Sequence, residues 1–106
     1  MLGELFFNII MISPHTVFTF ADSVQGTESN GEIVVLDLKS ERFFGLNETG
    51  SRLWQELARG QSLDQALQTL QAEFEVDFST LQDDTQYLVQ QWIAREWIRP
   101  QVAASR

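Results

Sequence analysis

Apolar residues alternate with polar ones as far as Leu46 and recur at helical spacing from Ser51 onward, a pattern that predicts strands first and helices after. Thr16-Val17-Phe18-Thr19-Phe20 alternates as a half-buried strand does, and Asn30-Gly31 marks a turn ahead of Glu32-Ile33-Val34-Val35-Leu36-Asp37-Leu38. Val34, Leu36 and Leu38 share one face of that second strand. Residues 22–31, mostly polar, are expected to form a mobile loop. Lys39-Ser40-Glu41 then turns the chain into Arg42-Phe43-Phe44-Gly45-Leu46, which completes a hairpin.

Three helices are expected to follow, and their ends carry capping residues. Asn47 is placed to cap the first, in which Leu53, Trp54 and Leu57 share a face, and Gly60 to end it in a left-handed turn. Ser62 with Gln65, and Ser79 with Gln82, each fit a capping box. In the second helix Leu63, Ala66, Leu67, Leu70 and Phe74 repeat at helical spacing. In the third, Leu81, Thr85, Leu88 and Trp92 form a stripe that Val89 and Ile93 widen. Pro100 is expected to stop the short extended segment Trp97-Ile98-Arg99.

Composition changes this picture in three ways. A hydrophobic content of 43% marks a folded chain even though the net charge is -8. At 106 residues one small domain is expected, over 13–100, with an apolar extension at 1–12 and a tail at 101–106. The absence of cysteine removes disulfides, thiolate catalysis and Cys-ligated zinc, and fits a cytoplasmic location. Leu5-Phe6-Phe7-Asn8-Ile9-Ile10-Met11-Ile12 is far shorter than the ~20 residues of a spanning helix. It also lacks the basic flank of a secretion signal, so neither membrane anchoring nor export is expected. For residues 1–10 two readings stay open: translation starting at Met11, or an added strand or oligomer contact.

A small sheet carrying three helices is the outline of a winged helix-turn-helix, which raises DNA binding. Duplex binding depends largely on Lys and Arg, yet none occurs between Gly60 and Ala94, where Asp64, Glu73, Glu75, Asp77, Asp83 and Asp84 are acidic. Such helices repel a groove. Arg42, Arg52 and Arg59 are too scattered to reverse this and read as solvated surface charges.

Catalysis has no better support. His15, the sole histidine, follows Pro14 in an expected loop without a partner. Asp83 and Asp84 are neighbours on a helix and point apart, which suits the helix dipole better than a metal or an acid/base pair. Gly45 and Gly50 lack the following Lys of a phosphate loop; Gly45 reads instead as a place where something approaches the strand. No cofactor and no metal site are expected.

Recognition remains. The last strand places Phe43 and Phe44 on opposite faces, one for the core and one bordering a neighbouring surface. Its unpaired edge could take a peptide as a further strand. If the third helix lies alongside, Asp84, Leu88, Gln91 and Trp92 would form the opposing wall of a groove.

Val35-Leu36-Asp37-Leu38, the junction Arg42-Phe43-Phe44-Gly45-Leu46-Asn47-Glu48-Thr49-Gly50, the pair Leu53-Trp54, and then Ser62-Leu63-Asp64 and Phe74-Glu75-Val76-Asp77 resemble the PqqD-like family of peptide chaperones, also called RiPP recognition elements. The likeness covers residues 32–99, and the strand-to-helix junction is its specific part. It implies an α+β fold, winged helix-turn-helix-like, with a three-stranded antiparallel sheet followed by a three-helix bundle. It also implies a non-catalytic role: binding the leader segment of a ribosomally made precursor peptide between the third strand, residues 42–46, and the third helix, residues 79–95. On that basis the peptide-binding residues expected are Arg42, Phe43, Phe44, Gly45, Leu46, Asp84, Tyr87, Leu88, Gln91 and Trp92.

Stand-alone members of this size include leader-binding proteins of lasso-peptide clusters, whose partner is a leader peptidase, and the pyrroloquinoline quinone chaperone. The free-standing domain with its polar loop favours the lasso type, while delivery to another tailoring enzyme, in a different modified-peptide class, stays open. An acidic winged-helix regulator that binds protein, and an enzyme subunit completed by another chain, are the competing classes. With a pI near 4.4, a leader or partner bearing Lys or Arg is expected, held less tightly at raised salt.

Overall fold

Asn30 and Gly31, at φ 55° and 84°, form the tight turn of a hairpin that the polarity of residues 22–31 conceals. The computed structural model describes residues 13–101. The expectations for residues 1–12 and for the end of the tail lie outside that range.

Instead of a loop, residues Val24–Ser29 form strand β2, which follows β1 (Val17–Phe20) and pairs antiparallel with β3 (Glu32–Asp37) from Val24 opposite Asp37 to Ser29 opposite Glu32. Two features hide β2. Only Val24 on it is buried, so there is no apolar alternation to read. At Gly26 a Cβ would stand 2.5 Å from Nε1 of Trp54, so the inward position opposite Val35 has no room for a side chain.

Strand β4 (Arg42–Gly45) pairs with the other side of β3, Val34 opposite Gly45 and Asp37 opposite Arg42. The sheet order is thus β2-β3-β4, with β4 at an edge. Ile33, Val35 and Asp37 are buried on its inner face, whereas Val34 and Leu36 are half-buried and Leu38 exposed on the outer one.

The expected first strand does not join this sheet. β1 pairs antiparallel with β5 (Ile98–Gln101), Phe18 opposite Pro100 and Phe20 opposite Ile98. Pro100 therefore lies inside a strand rather than ending one. The amide of Ala21 donates to the carbonyl of Trp97, and the two-residue alternation of an antiparallel ladder then makes Phe18–Pro100 a pair that needs no N–H.

Helix α1 (Glu48–Ala58) lies against β3 and β1, and α2 (Leu63–Glu73) and α3 (Phe78–Ala94) pack on α1 and on each other. Asn47 caps α1 through the amide of Gly50 at 2.8 Å, and Ser62 with Gln65 closes the capping box expected for α2. The third helix starts earlier than Ser79 and Gln82 indicate. Asp77 caps it by accepting from the amide of Thr80, so Ser79 is already inside the first turn.

Helices α1 and α3 both end in a Schellman arrangement. Gly60, at φ 92°, donates to Leu57, and Gln61 to Glu56; after α3, Glu96 donates to Ile93 and Trp97 to Trp92. Glu96 takes the left-handed position without being glycine, at φ 64°. The core joins these layers through aromatic rings: Trp54 meets Phe20, Trp92 and Trp97 edge-on at centroid distances of 4.8, 5.2 and 6.0 Å.

Arg52 departs from its reading as a solvated charge. Its guanidinium donates to Glu73 at 2.7 Å and to the buried Glu56 at 3.0 Å, clamping α1 to the end of α2. These bonds hold the Glu73 carboxyl below its ordinary value. Arg59 completes the pairing of Glu56 at 3.2 Å. No helix among the described residues is long and apolar enough to cross a membrane.

Candidate functional site: the free edge of β4 and the face of α3

The strand-to-helix junction is fastened by Ser51. Its hydroxyl donates to the carbonyl of Leu46 at 3.2 Å and accepts from the amide of Ile33 at 2.8 Å, while the Leu46 amide reaches the Ile33 carbonyl at 2.9 Å. Leu46 is consequently buried, and the end of β4 is fixed against α1 before any ligand arrives. Gly50 lies beside α3: a Cβ there would make an ordinary contact, 3.7 Å, with a methyl of Leu88, and its tightest neighbour would be Oδ1 of the Asn47 cap at 3.2 Å.

Among the described residues, the edge of β4 that faces away from β3 has no strand beside it. Phe44 turns inward and meets Trp97 edge-on at 5.1 Å, whereas Phe43 turns to the outer face and is 71% exposed. The two rings thus lie on opposite faces as expected, with Phe44 packed against the core. At Gly45 a Cβ would meet nothing within 4 Å, so glycine there is not required by any neighbour among the described residues.

On α3 the exposed residues Asp84, Tyr87 and Gln91 and the half-buried Leu88 lie three or four apart and share a face. Trp92 does not belong with them. It is 2% exposed and packs on Trp54, because the helix turns that position into the core beside Val89. Leu46 and Trp92 are thus core residues, and the accessible members of the expected site are Arg42, Phe43, Gly45, Asp84, Tyr87, Gln91 and, in part, Phe44 and Leu88.

The same helical row runs on to Arg95, four residues past Gln91, which the reading of the sequence did not include. Its guanidinium lies 4.6 Å over the ring of Phe44 and 5.4 Å from that of Trp97. The opposite end of the row is acidic. Asp84 lines a cleft of about 430 Å³ with Glu48, Thr49, Phe74, Glu75 and Val76. A second cavity, of about 640 Å³, lies between β1, β5 and the end of α3 and is lined by no residue of β4.

Catalytic chemistry finds no constellation here. His15 is exposed, and no group of three or more His, Cys, Asp or Glu among the described residues is placed to hold a metal ion.

Residues 32–98 match the family described as coenzyme PQQ synthesis protein D (PqqD). The chain belongs to the PqqD family. The match begins at β3 and ends at the start of β5, so it takes in the β3–β4 hairpin, the junction and all three helices of this PqqD-like RiPP recognition element. Among solved structures it is similar to "TbiB1 in Complex with the TbiA(beta) Leader Peptide" at 26% identity and a TM-score of 0.70, covering 82% of this chain and 99% of that one. It is likewise similar to "Lasso peptide synthetase B1 complexed with the leader peptide" at 25% identity and a TM-score of 0.70, covering 78% and 98%. A comparison with curated protein sequences finds no match.

Proposed function

We propose that this PqqD-family chain binds the leader segment of a ribosomally synthesised precursor peptide as an added strand on the free edge of β4, with the exposed face of α3 as the facing wall. The leader's backbone supplies hydrogen bonds to β4, and its alternate side chains reach Phe43 on one face and Phe44 with Leu88 on the other. The observation that carries the reading is the open β4 edge, set by the Ser51-fastened junction, in a fold similar to TbiB1 in complex with a leader peptide. The chain does no chemistry in this role. It presents the leader, in the cytoplasm, to a leader peptidase of lasso-peptide biosynthesis.

The domain responsible is the described span, arranged like a winged helix-turn-helix, with its helices turned to a peptide instead of DNA. The acid-rich surface of α2 and α3 supports that choice. Fluorescence anisotropy of a labelled leader from the neighbouring precursor gene, against a scrambled control, tests the proposal. Saturable binding of the true leader alone is expected, and equal binding of both peptides, or of neither, overturns it. The family description favours a second reading, a chaperone of pyrroloquinoline quinone assembly. Selective binding of that pathway's precursor peptide would decide for it.

A further inference from the structure

Lys39, Arg52 and Arg59 are each ion-paired, to Glu96, to Glu56 with Glu73, and to Glu56. Arg95 is different. It is exposed and has no carboxylate within salt-bridge distance among the described residues, although the chain carries 15 Asp and Glu against 7 Lys and Arg. Its position is nevertheless defined, by stacking over Phe44 and Trp97 at the point where the end of α3 meets β4. A contact with ring faces occupies no acceptor oxygen, so the N–H donors of the guanidinium remain available to a carboxylate. Arg42, two residues before Phe44 on β4, shares that strand face and is also exposed and without a carboxylate partner among the described residues.

We infer that Arg95, assisted by Arg42, is a specificity-determining residue of the peptide groove and takes a carboxylate side chain of the bound leader. This rests on the leader-binding reading and adds to it the chemistry and the direction of the ligand. A bidentate guanidinium–carboxylate pair is directional, and Asp84, toward the other end of the same α3 row and in a cleft with Glu48 and Glu75, repels a leader acid. A leader segment with an Asp or Glu therefore enters with that residue toward Arg95, and the reversed strand is disfavoured. The negative net charge still governs long-range approach, so a leader can be basic as a whole and yet need one acid at this contact.

Two probes and two variants separate the outcomes: the labelled leader, the same leader with every Asp and Glu replaced by Asn and Gln, and the full chain carrying Arg95→Gln or Arg95→Lys. Wild type is expected to lose about tenfold in affinity for the neutralised leader, a step of ~1.4 kcal/mol. Arg95→Gln should lose a similar factor for the native leader and nothing more for the neutralised one. Arg95→Lys, which keeps the charge but not the bidentate fork, should retain part of the discrimination that Arg95→Gln abolishes. If Arg95→Gln melts like wild type and still distinguishes the two leaders, the assignment of Arg95 is overturned while leader binding stands. If wild type binds neither leader, the leader-binding reading falls and this inference falls with it.

Discussion

The indole Nε1 of Trp97 donates to Oδ2 of Asp37 at 2.9 Å in the buried interior, a bond that spans 60 residues of sequence. The other oxygen of the same carboxylate accepts from the amides of Lys39 at 2.9 Å and Ser40 at 3.3 Å. One side chain therefore shapes the turn that launches β4 and anchors the segment that leaves α3. The start of β4 and the segment after α3 are joined through it.

Asp37→Asn should lower the melting temperature by about 4–8 °C at pH 7 for a domain of this size, because one of its three acceptor bonds is lost. The Trp97 indole, against the opposing effect of burial and with help from the turn amides, holds the Asp37 carboxyl below the ordinary value of an aspartate. A folded value below the unfolded one means that the stabilisation is complete above the unfolded value and drains away as pH falls through the folded one. Thermal melts of both proteins between pH 7 and pH 3 should show the gap closing at the acid end. A gap of constant size would contradict this account of the bond.

Glu96 occupies a left-handed position that glycine fills at the end of α1. Glu96→Gly should stabilise the chain by about 0.5–1 kcal/mol, since the strain at φ 64° outweighs the lost contact with Lys39. That contact joins two exposed side chains and is worth little. Urea unfolding of the variant decides the sign.

Gly26 lies where β2 passes under Trp54. Gly26→Val should cost about 1–3 kcal/mol, because even the Cβ overlaps the indole nitrogen at 2.5 Å and the ring is packed among Phe20, Trp92 and Trp97. Gly45→Val, with open space around it, should leave unfolding unchanged and serves as the comparison.

The elements visible in the sequence were those that bury one face. The helical stripes through Leu53, Leu67 and Val89 point at the core, and the caps at Asn47 and Ser62 sit where the chain turns into helices. The set picked out along β3, Val34, Leu36 and Leu38, is instead its outer face, and Ile33 and Val35 are the buried ones. β2 was not legible because water, not protein, covers most of it, and Gly26 removes the inward side chain that would have marked it. The pairing of β1 with β5 was hidden for another reason. Periodicity reports which face is buried and says nothing about which strand lies beside it, and Pro100 reads as a stop until the register puts it at a position that needs no N–H. For the groove, spacing alone placed Trp92 with Leu88, whereas burial separates them; Arg95 carried the right spacing but lies past the last helical residue.

Phe43 and Trp92 test whether binding and stability part along the boundary drawn here. Phe43 is 71% exposed and touches the outer face of an edge strand, so Phe43→Ala should change unfolding by less than about 0.5 kcal/mol. It should weaken leader binding by roughly tenfold if the ring forms one side of the leader's pocket. Trp92→Ala removes a ring packed on Trp54 at 5.2 Å and should cost about 3–5 kcal/mol, enough to unfold a marginal domain. Any loss of affinity in that variant then follows its loss of folded protein. His15→Ala, at an exposed site outside the groove, should alter neither quantity. Paired measurements of urea unfolding and leader anisotropy on the three variants check the division. A Phe43→Ala protein that folds and binds like wild type would move the ligand away from the outer face of β4 and leave the inner face, with Phe44, Leu88 and Arg95, as its only wall.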